Sequence, residues 1–185
     1  PLPFDLRDVP VALRERQSRL VSLVGPPHGR KNLFASALAV KAAGGKLRIS
    51  EWLLKDKLFE RFLNEMEIPF EVKRYLTREA YYAGIGECEA CIHLSLAETF
   101  SYSALEHLAC GVPVVGPSSI PAIRNVMPAN AWVNTEDVEG AAKVLTWLFE
   151  KSLNGLTSEA IRERAKRFIE KQNERCRETT EGILN

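Results

Sequence analysis

Short apolar segments alternate with helical patterns along this 185-residue chain, and that alternation constrains the fold more than any other feature. Strand-like runs are predicted at 20–24, 46–50, 70–75, 90–94, 112–115 and 131–133. Helices are predicted at 32–42, 52–66, 78–86, 99–110, 120–126, 136–151 and 158–180. Short strands that alternate with helices indicate a parallel sheet covered on both faces. The chain is therefore predicted to be an α/β protein with a doubly wound sheet.

The detail of the pattern sets expectations for individual elements. Residues 90–94 have no polar face, as a buried parallel strand should. Gly44 and Gly45 should end the first helix as a C-terminal cap. The inward face of the helix at 52–66 is predicted to carry Leu54, Leu58, Phe62 and Met66.

Residues 1–19 hold three prolines and many charges, so they are interpreted as a linker or an edge segment. The domain proper is assigned to 20–185, with 158–185 as a C-terminal helix. Ile161, Ala165 and Phe168 lie on one stripe of that helix, which either packs on a partner domain or simply covers the sheet. Because the chain begins with Pro1 rather than Met, we expect it to be cut from a longer protein.

Composition excludes several classes of protein. The chain has 25 Lys and Arg against 24 Asp and Glu, so it lacks the basic surface with which proteins displace counterions from nucleic acid. A hydrophobic content of 45% is too high for a wholly disordered chain. No apolar run approaches the roughly 20 residues of a membrane span.

Four cysteines are present, and Cys88 and Cys91 form a Cys-x-x-Cys pair. A structural zinc site would need a second pair of ligands at matching spacing, and the sequence has none. Since Cys91 runs into an apolar stretch, a redox pair is not favoured. We expect buried, reduced cysteines in a cytoplasmic domain.

In doubly wound sheets, ligands bind beyond the carboxyl ends of the strands, so candidate binding residues should lie in the loops there. Arg30 and Lys31 directly precede a helix that should start near Asn32. Two cations are unfavourable at a helix N-terminus unless an anion sits there, and a phosphate would accept hydrogen bonds from both side chains and the free amides. The alternative is that both side chains simply point into water.

The segment 95–106 begins where the most apolar strand ends and becomes a helix. Glu98 lies at the carboxyl end of the strand, where ligands bind. Its alternative role is a favourable negative charge at a helix N-terminus. Glu106 lies further along, and its alternative role is the partner of Ser103 in a capping box.

These residues resemble a known family. Glu98-Thr-Phe-Ser-Tyr-Ser-Ala-Leu-Glu106, followed by Ala109-Cys-Gly-Val-Pro-Val-Val115, resembles the Glu-x7-Glu segment of retaining glycosyltransferases of family four. These enzymes have two Rossmann-like domains, the GT-B architecture. The likeness covers roughly residues 20–150, because the first strand, its loop and Lys31-Asn32 also match.

The resemblance implies that the chain is the C-terminal half, which binds a nucleotide-sugar donor and needs no metal or other cofactor. Lys31 would contact the diphosphate, aided by Arg30, and Glu98 would bind hydroxyls of the transferred sugar. Backbone near Tyr75 would face the base, and Glu106 would accept hydrogen bonds from the ribose. The amides at the helix start would meet the phosphates; they belong to Thr99, Phe100, Ser101 and Tyr102.

The resemblance also implies that the acceptor is chosen by an N-terminal domain absent from this chain, through which any peripheral membrane contact would come. The isolated chain is expected to bind donor without turnover. It departs from the family pattern at Pro26, Arg74, Thr99 and Ser101. These departures keep open a non-catalytic interaction module with the same fold. Another enzyme with two Rossmann-like domains, such as an epimerase or a phosphorylase, is a third alternative.

Overall fold

A computed structural model describes residues 5, 9, 15–23, 25, 29–98, 101–150 and 156–184, with side chains up to residue 179. Pro26, Thr99 and Phe100 therefore lie outside the described residues. Among the described helices, none combines the length and the apolar character needed to cross a bilayer.

Five parallel strands form one sheet in the order β3-β2-β1-β4-β5. The strands are β1 (Gln17–Leu23), β2 (Lys46–Ser50), β3 (Phe70–Lys73), β4 (Cys88–Ile92) and β5 (Val114–Val115). The strand order reverses between β1 and β4, whose ends pair at Leu23 and Ile92. This is the Rossmann-like doubly wound arrangement that the alternating pattern predicts, and in such sheets ligands bind in the crevice at the reversal.

Helices cover both faces of the sheet. They are α1 (Leu33–Ala42), α2 (Lys57–Glu65), α3 (Arg78–Gly86), α4 (Tyr102–Ala109), α5 (Pro121–Val126), α6 (Val138–Phe149) and α7 (Ser158–Leu184). α6 packs on α1, whereas α7 packs on α4 and α5. Ile161, Ala165 and Phe168 of α7 are buried in the core of this chain, so that stripe serves the chain's own packing.

The end of α1 follows the prediction from its two glycines. Gly44 has a φ of 67°, which a glycine adopts without steric cost. Its amide donates to the carbonyl of Lys41, and the amide of Gly45 donates to that of Val40. Cys88, Cys91 and Cys110 are buried, as predicted, whereas Cys176 of α7 is only half-buried, which differs from the prediction.

The prediction of one helix over 52–66 is wrong. A 3-10 helix at Glu51–Lys55 precedes α2, and Asp56 separates the two. The Asp56 carboxylate accepts hydrogen bonds from the amides of Leu58 and Phe59, at 3.0 and 3.2 Å, and so starts a new helix.

That new start changes which face of α2 is buried. Phe59 and Leu63 are fully buried, whereas the predicted inward residues Leu58 and Met66 are 67% and 39% exposed. A period of 3.6 residues identifies a face only when the helix runs without interruption.

The predicted strand at 131–133 is also wrong. Residues Ala129–Ala131 form a 3-10 helix, and Trp132 makes a single bridge to Gly116. The amide of Val133 donates to the Gly116 carbonyl at 3.2 Å. The segment lies at the sheet edge beyond β5 but is too short to propagate a ladder.

Candidate functional site at the strand reversal

The loops that follow β1 and β4 meet at the carboxyl edge of the sheet, as the strand order requires. The Arg30 carbonyl accepts a hydrogen bond from the amide of Leu96 at 2.8 Å and another from Ser95 Oγ at 3.1 Å. These contacts place Lys31 of the first loop beside Glu98 of the second. Hydrogen bonds to the Arg30 carbonyl therefore hold the two loops together, in addition to any attraction between charged side chains.

Lys31 and Glu98 form an ion pair between the two loops, with only 8% and 11% of their side chains exposed. The alternative in which Lys31 points into water is therefore wrong. Gly25 lies directly over the lysine stem, since a Cβ there would sit 3.2 Å from Lys31 Cδ. Arg30 behaves differently, because it is exposed and contributes its carbonyl to the loop contact.

Glu98 is surrounded by donors other than Lys31. Ser95 Oγ lies 3.1 Å from Glu98 Oε1, so this oxygen shares the single hydroxyl proton with the Arg30 carbonyl, and His93 Nε2 lies 3.6 Å from the same oxygen. His93 and Lys31 together lower the pKa of Glu98 to about 2, against the opposing effect of burial. Glu98 is thus a carboxylate at every physiological pH, held by side chains rather than by a helix N-terminus.

His93 is a buried residue for which the sequence analysis predicts no role. Burial lowers its pKa, so the ring is neutral near pH 7. Ser101 Oγ lies 2.9 Å from His93 Nε2, the same nitrogen that faces Glu98. A nucleophile relay needs the serine and the carboxylate on opposite ring nitrogens, so this Ser-His-Glu group is not arranged as a hydrolase triad.

Ser101 starts α4 in a left-handed conformation, with φ 53° and ψ 77°. Its Oγ accepts the Ala104 amide at 3.4 Å, which makes it the N-cap. A glycine adopts this backbone without strain, so Ser101 occupies a position that favours glycine. Tyr102 follows at the first helical position and is 38% exposed.

Glu106 is not part of a capping box, because α4 is capped by Ser101 and not by Ser103. Instead, Tyr81 of α3 donates its hydroxyl to Glu106 Oε2 at 2.9 Å. Burial raises the pKa of Glu106, although that hydrogen bond opposes the rise. One oxygen of Glu106 is therefore engaged within the protein.

Tyr75 lies in a second part of the crevice, on the β2 and β3 side of β1. A cavity of about 250 Å³ opens there. Its lining residues are Ser22, Leu23, Gly25, Arg48, Ser50, Trp52, Tyr75, Tyr81 and Ile85. Tyr81 both lines the cavity and donates to Glu106, so the cavity lies close to α4.

The structure thus brings Lys31, Glu98 and Ser101 together around His93. Glu106 contacts Tyr81, which lines the cavity beside Tyr75, whereas the Arg30 side chain is exposed. Sequence reasoning missed His93 and Arg48. A polar residue inside an apolar strand was the available signal for each.

Comparison with solved structures places the fold. Sucrose-phosphate synthase from Thermosynechococcus elongatus matches with a TM-score of 0.79 and 18% identity, over 100% of this chain and 52% of that one. A TarM mutant from S. aureus, in complex with fondaparinux, alpha-GlcNAc-glycerol and UDP, matches with a TM-score of 0.77 and 16% identity. That match covers 99% of this chain and 38% of the TarM chain. A glycosyltransferase of avilamycin A biosynthesis matches with a TM-score of 0.71 and 17% identity, over 100% of this chain and 57% of that one.

No protein-family model matches the chain, and a search of curated proteins finds no match either. The chain spans about half the length of the solved structures described above, or less. At these identities the likeness concerns the fold. The chain therefore has the fold of the Rossmann-like half of a GT-B glycosyltransferase.

Proposed function

We propose that the chain is the donor-binding domain of a retaining, metal-independent glycosyltransferase that transfers a hexose-type sugar from a nucleotide diphosphate sugar. The observation that carries the proposal is the buried Lys31–Glu98 pair at the strand reversal. A cation and a carboxylate side by side match the two ends of such a donor, its diphosphate and its sugar hydroxyls.

The pair also supports an order of events on binding. A diphosphate that reaches Lys31 replaces the Glu98 carboxylate as its partner. The released carboxylate can only accept hydrogen bonds, and sugar hydroxyls can donate them. Lys31 then lies where negative charge develops on the leaving diphosphate, which is where a preorganised donor lowers the barrier.

The remaining roles are assigned to the same crevice. Amides of Ser101 and Tyr102 at the start of α4, together with those of the two preceding residues in the sequence, bind phosphate oxygens, since a helix N-terminus favours anions. Glu106 accepts from the ribose with the oxygen that Tyr81 does not engage. The base enters the cavity beside Tyr75. The acceptor would be bound by an N-terminal domain of the same protein, so this chain binds donor without turnover.

Titration calorimetry with the diphosphates of uridine, guanosine and adenosine tests the proposal. Lys31→Ala should weaken diphosphates by about tenfold or more while sparing the nucleosides, because a charge-assisted hydrogen bond contributes about 1.5–3 kcal/mol. Glu106→Ala should weaken the binding of nucleosides and of diphosphates by a similar factor. Lys143→Ala is the matched control, since Lys143 is an exposed lysine of α6.

The absence of heat with every nucleotide at millimolar concentration would contradict donor binding and favour the non-catalytic interaction module. Equal losses of affinity for nucleosides and diphosphates in Lys31→Ala would contradict only the contact between Lys31 and the diphosphate, and not donor binding itself.

A further inference from the structure

Arg48 is a buried cation in the wall of the cavity that contains Tyr75. It lies in the middle of β2, where the neighbouring Leu47 and Ile49 are fully buried, and only 1% of its own surface is exposed. A buried charge persists only when other groups compensate it. The partners of Arg48 therefore indicate which of its N–H donors serve the structure and which remain available to a ligand.

Most of the donors of Arg48 are occupied by structural partners. Nε donates to Glu71 Oε1 at 2.7 Å, and Nη1 donates to Glu87 Oε2 at 2.9 Å and to the Gly84 carbonyl. Glu71 and Glu87 are 23% and 33% exposed, so they neutralise the charge from the outer side. These contacts explain why the charge is tolerated in the core.

Nη2 is the exception. It lies 2.7 Å from Glu71 Oε1, but its N–H groups are not directed at that oxygen. Within the described part of the chain, it is the buried side-chain nitrogen or oxygen atom that makes no hydrogen bond. A buried donor without an acceptor is unfavourable, and a ligand that supplies the acceptor relieves that cost.

The cavity is suited to a flat ligand with acceptor atoms. Trp52, Tyr75 and Tyr81 supply aromatic surface, and Arg48 is the one charged residue among the lining side chains, all of which are described. No carboxylate lines the cavity, because Glu71 and Glu87 contact the guanidinium group from outside it. A volume of about 250 Å³ lies just below the roughly 300–1,000 Å³ of pockets that enclose whole ligands, so it fits part of a larger molecule.

We propose that Arg48 determines base specificity by donating to a carbonyl oxygen of the base, so that the chain prefers uracil or guanine to cytosine or adenine. This rests on the proposed function, in which the base enters this cavity. Guanidinium is a donor without acceptor capacity. Guanine presents O6 and uracil presents O4, whereas adenine and cytosine carry an amino group, itself a donor, at the corresponding position.

The test uses pairs of nucleotides that differ mainly in that carbonyl or amino group. Dissociation constants are measured for uridine against cytidine diphosphate, and for guanosine against adenosine diphosphate. In the wild-type chain we expect the carbonyl-bearing member of at least one pair to bind about tenfold or more tightly. Arg48→Met should bring that ratio close to one.

The ratio within a pair is independent of how much of a variant is folded, because both nucleotides meet the same folded fraction. Lys46→Met is the matched control, since Lys46 is a half-exposed cation of the same strand and also pairs with Glu71. It should leave the ratio unchanged. If Arg48→Met does not fold, Arg48→Lys keeps the charge but loses the planar guanidinium fork, and it should also lower the ratio.

The outcomes separate this inference from the proposed function. Wild-type binding with a ratio near one in both pairs would overturn the role of Arg48 while leaving donor binding intact. The same holds for a high ratio that survives in Arg48→Met or Arg48→Lys, or that falls equally in Lys46→Met. Failure of all four diphosphates to bind would overturn the proposed function and, with it, this inference.

Discussion

Replacing Lys31 by Met is expected to destabilise the chain by about 3 kcal/mol. Lys31 and Glu98 are both about nine-tenths buried, and the substitution leaves the carboxylate without its cation. Removing one partner of a buried pair costs about 3–5 kcal/mol. The pKa of Glu98 gives a second estimate, since its fall from 4.5 to about 2 corresponds to about 3 kcal/mol at about 1.4 kcal/mol per pKa unit. That second value combines the effects of His93 and Lys31 with the opposing effect of burial, so it gives the scale of the stabilisation and not the share of Lys31.

The assay is urea unfolding at pH 7, followed by circular dichroism, on a double-mutant cycle. Lys31→Met combined with Glu98→Gln should recover much of the loss, because the uncompensated charge is gone. The control cycle uses Lys143 and Glu139, an exposed pair on α6 separated by 2.8 Å. Its coupling should not exceed about 0.5 kcal/mol, the usual value for a surface pair of this spacing.

The reasoning would be refuted if Lys31→Met cost no more than Lys143→Met, or if the double variant were no more stable than Lys31→Met. Acid titration offers a second check on the same pair. Because the folded pKa of Glu98 is depressed, its stabilising effect is complete above pH 4.5 and is lost as the pH falls through about 2. Lys31→Met should reduce this loss, since part of the depression disappears with the lysine.

Three further changes test His107, a fully buried residue of α4, and the N-cap residues of α4 and α2. Burial lowers the pKa of His107 to about 4, so as the pH falls the unfolded chain binds a proton at this residue before the folded chain does. The free energy of unfolding should therefore fall by up to about 3 kcal/mol between pH 6.5 and 4. His107→Asn should remove that part of the pH dependence. Ser101→Gly relieves the left-handed backbone and should be more stable to urea than Ser101→Ala by about 1 kcal/mol, and equal stability would contradict the strain. Asp56→Ala should lower stability by about 1 kcal/mol through loss of the α2 cap, while Asp56→Asn should retain most of it.

The architecture could be predicted because each signal that specifies it is local. Apolar runs such as 90–94 identify buried strands, and helical periodicity between them requires parallel connections. The errors occurred where a single contact overrides periodicity. The Asp56 carboxylate starts a new helix within an otherwise continuous pattern, and its capping role becomes visible only with the backbone.

The candidate site divides in the same way. Lys31 and Glu98 were singled out because each follows a strand, and the carboxyl ends of neighbouring parallel strands meet at one edge. Their pairing spans 67 positions and depends on loop contacts such as that between Arg30 and Leu96. The burial of His93 and the engagement of Glu106 by Tyr81 likewise depend on packing between separate elements.

The sequence by itself determined the order of strands and helices, the doubly wound sheet and the edge at which a ligand would bind. Those properties follow from periodicity and from residues close in the chain. Only the tertiary structure decided that the Lys31 charge is already held by Glu98 and that Arg48 has a donor without a partner. Both facts concern side chains brought together by packing, and their energies depend on burial, which no local pattern specifies.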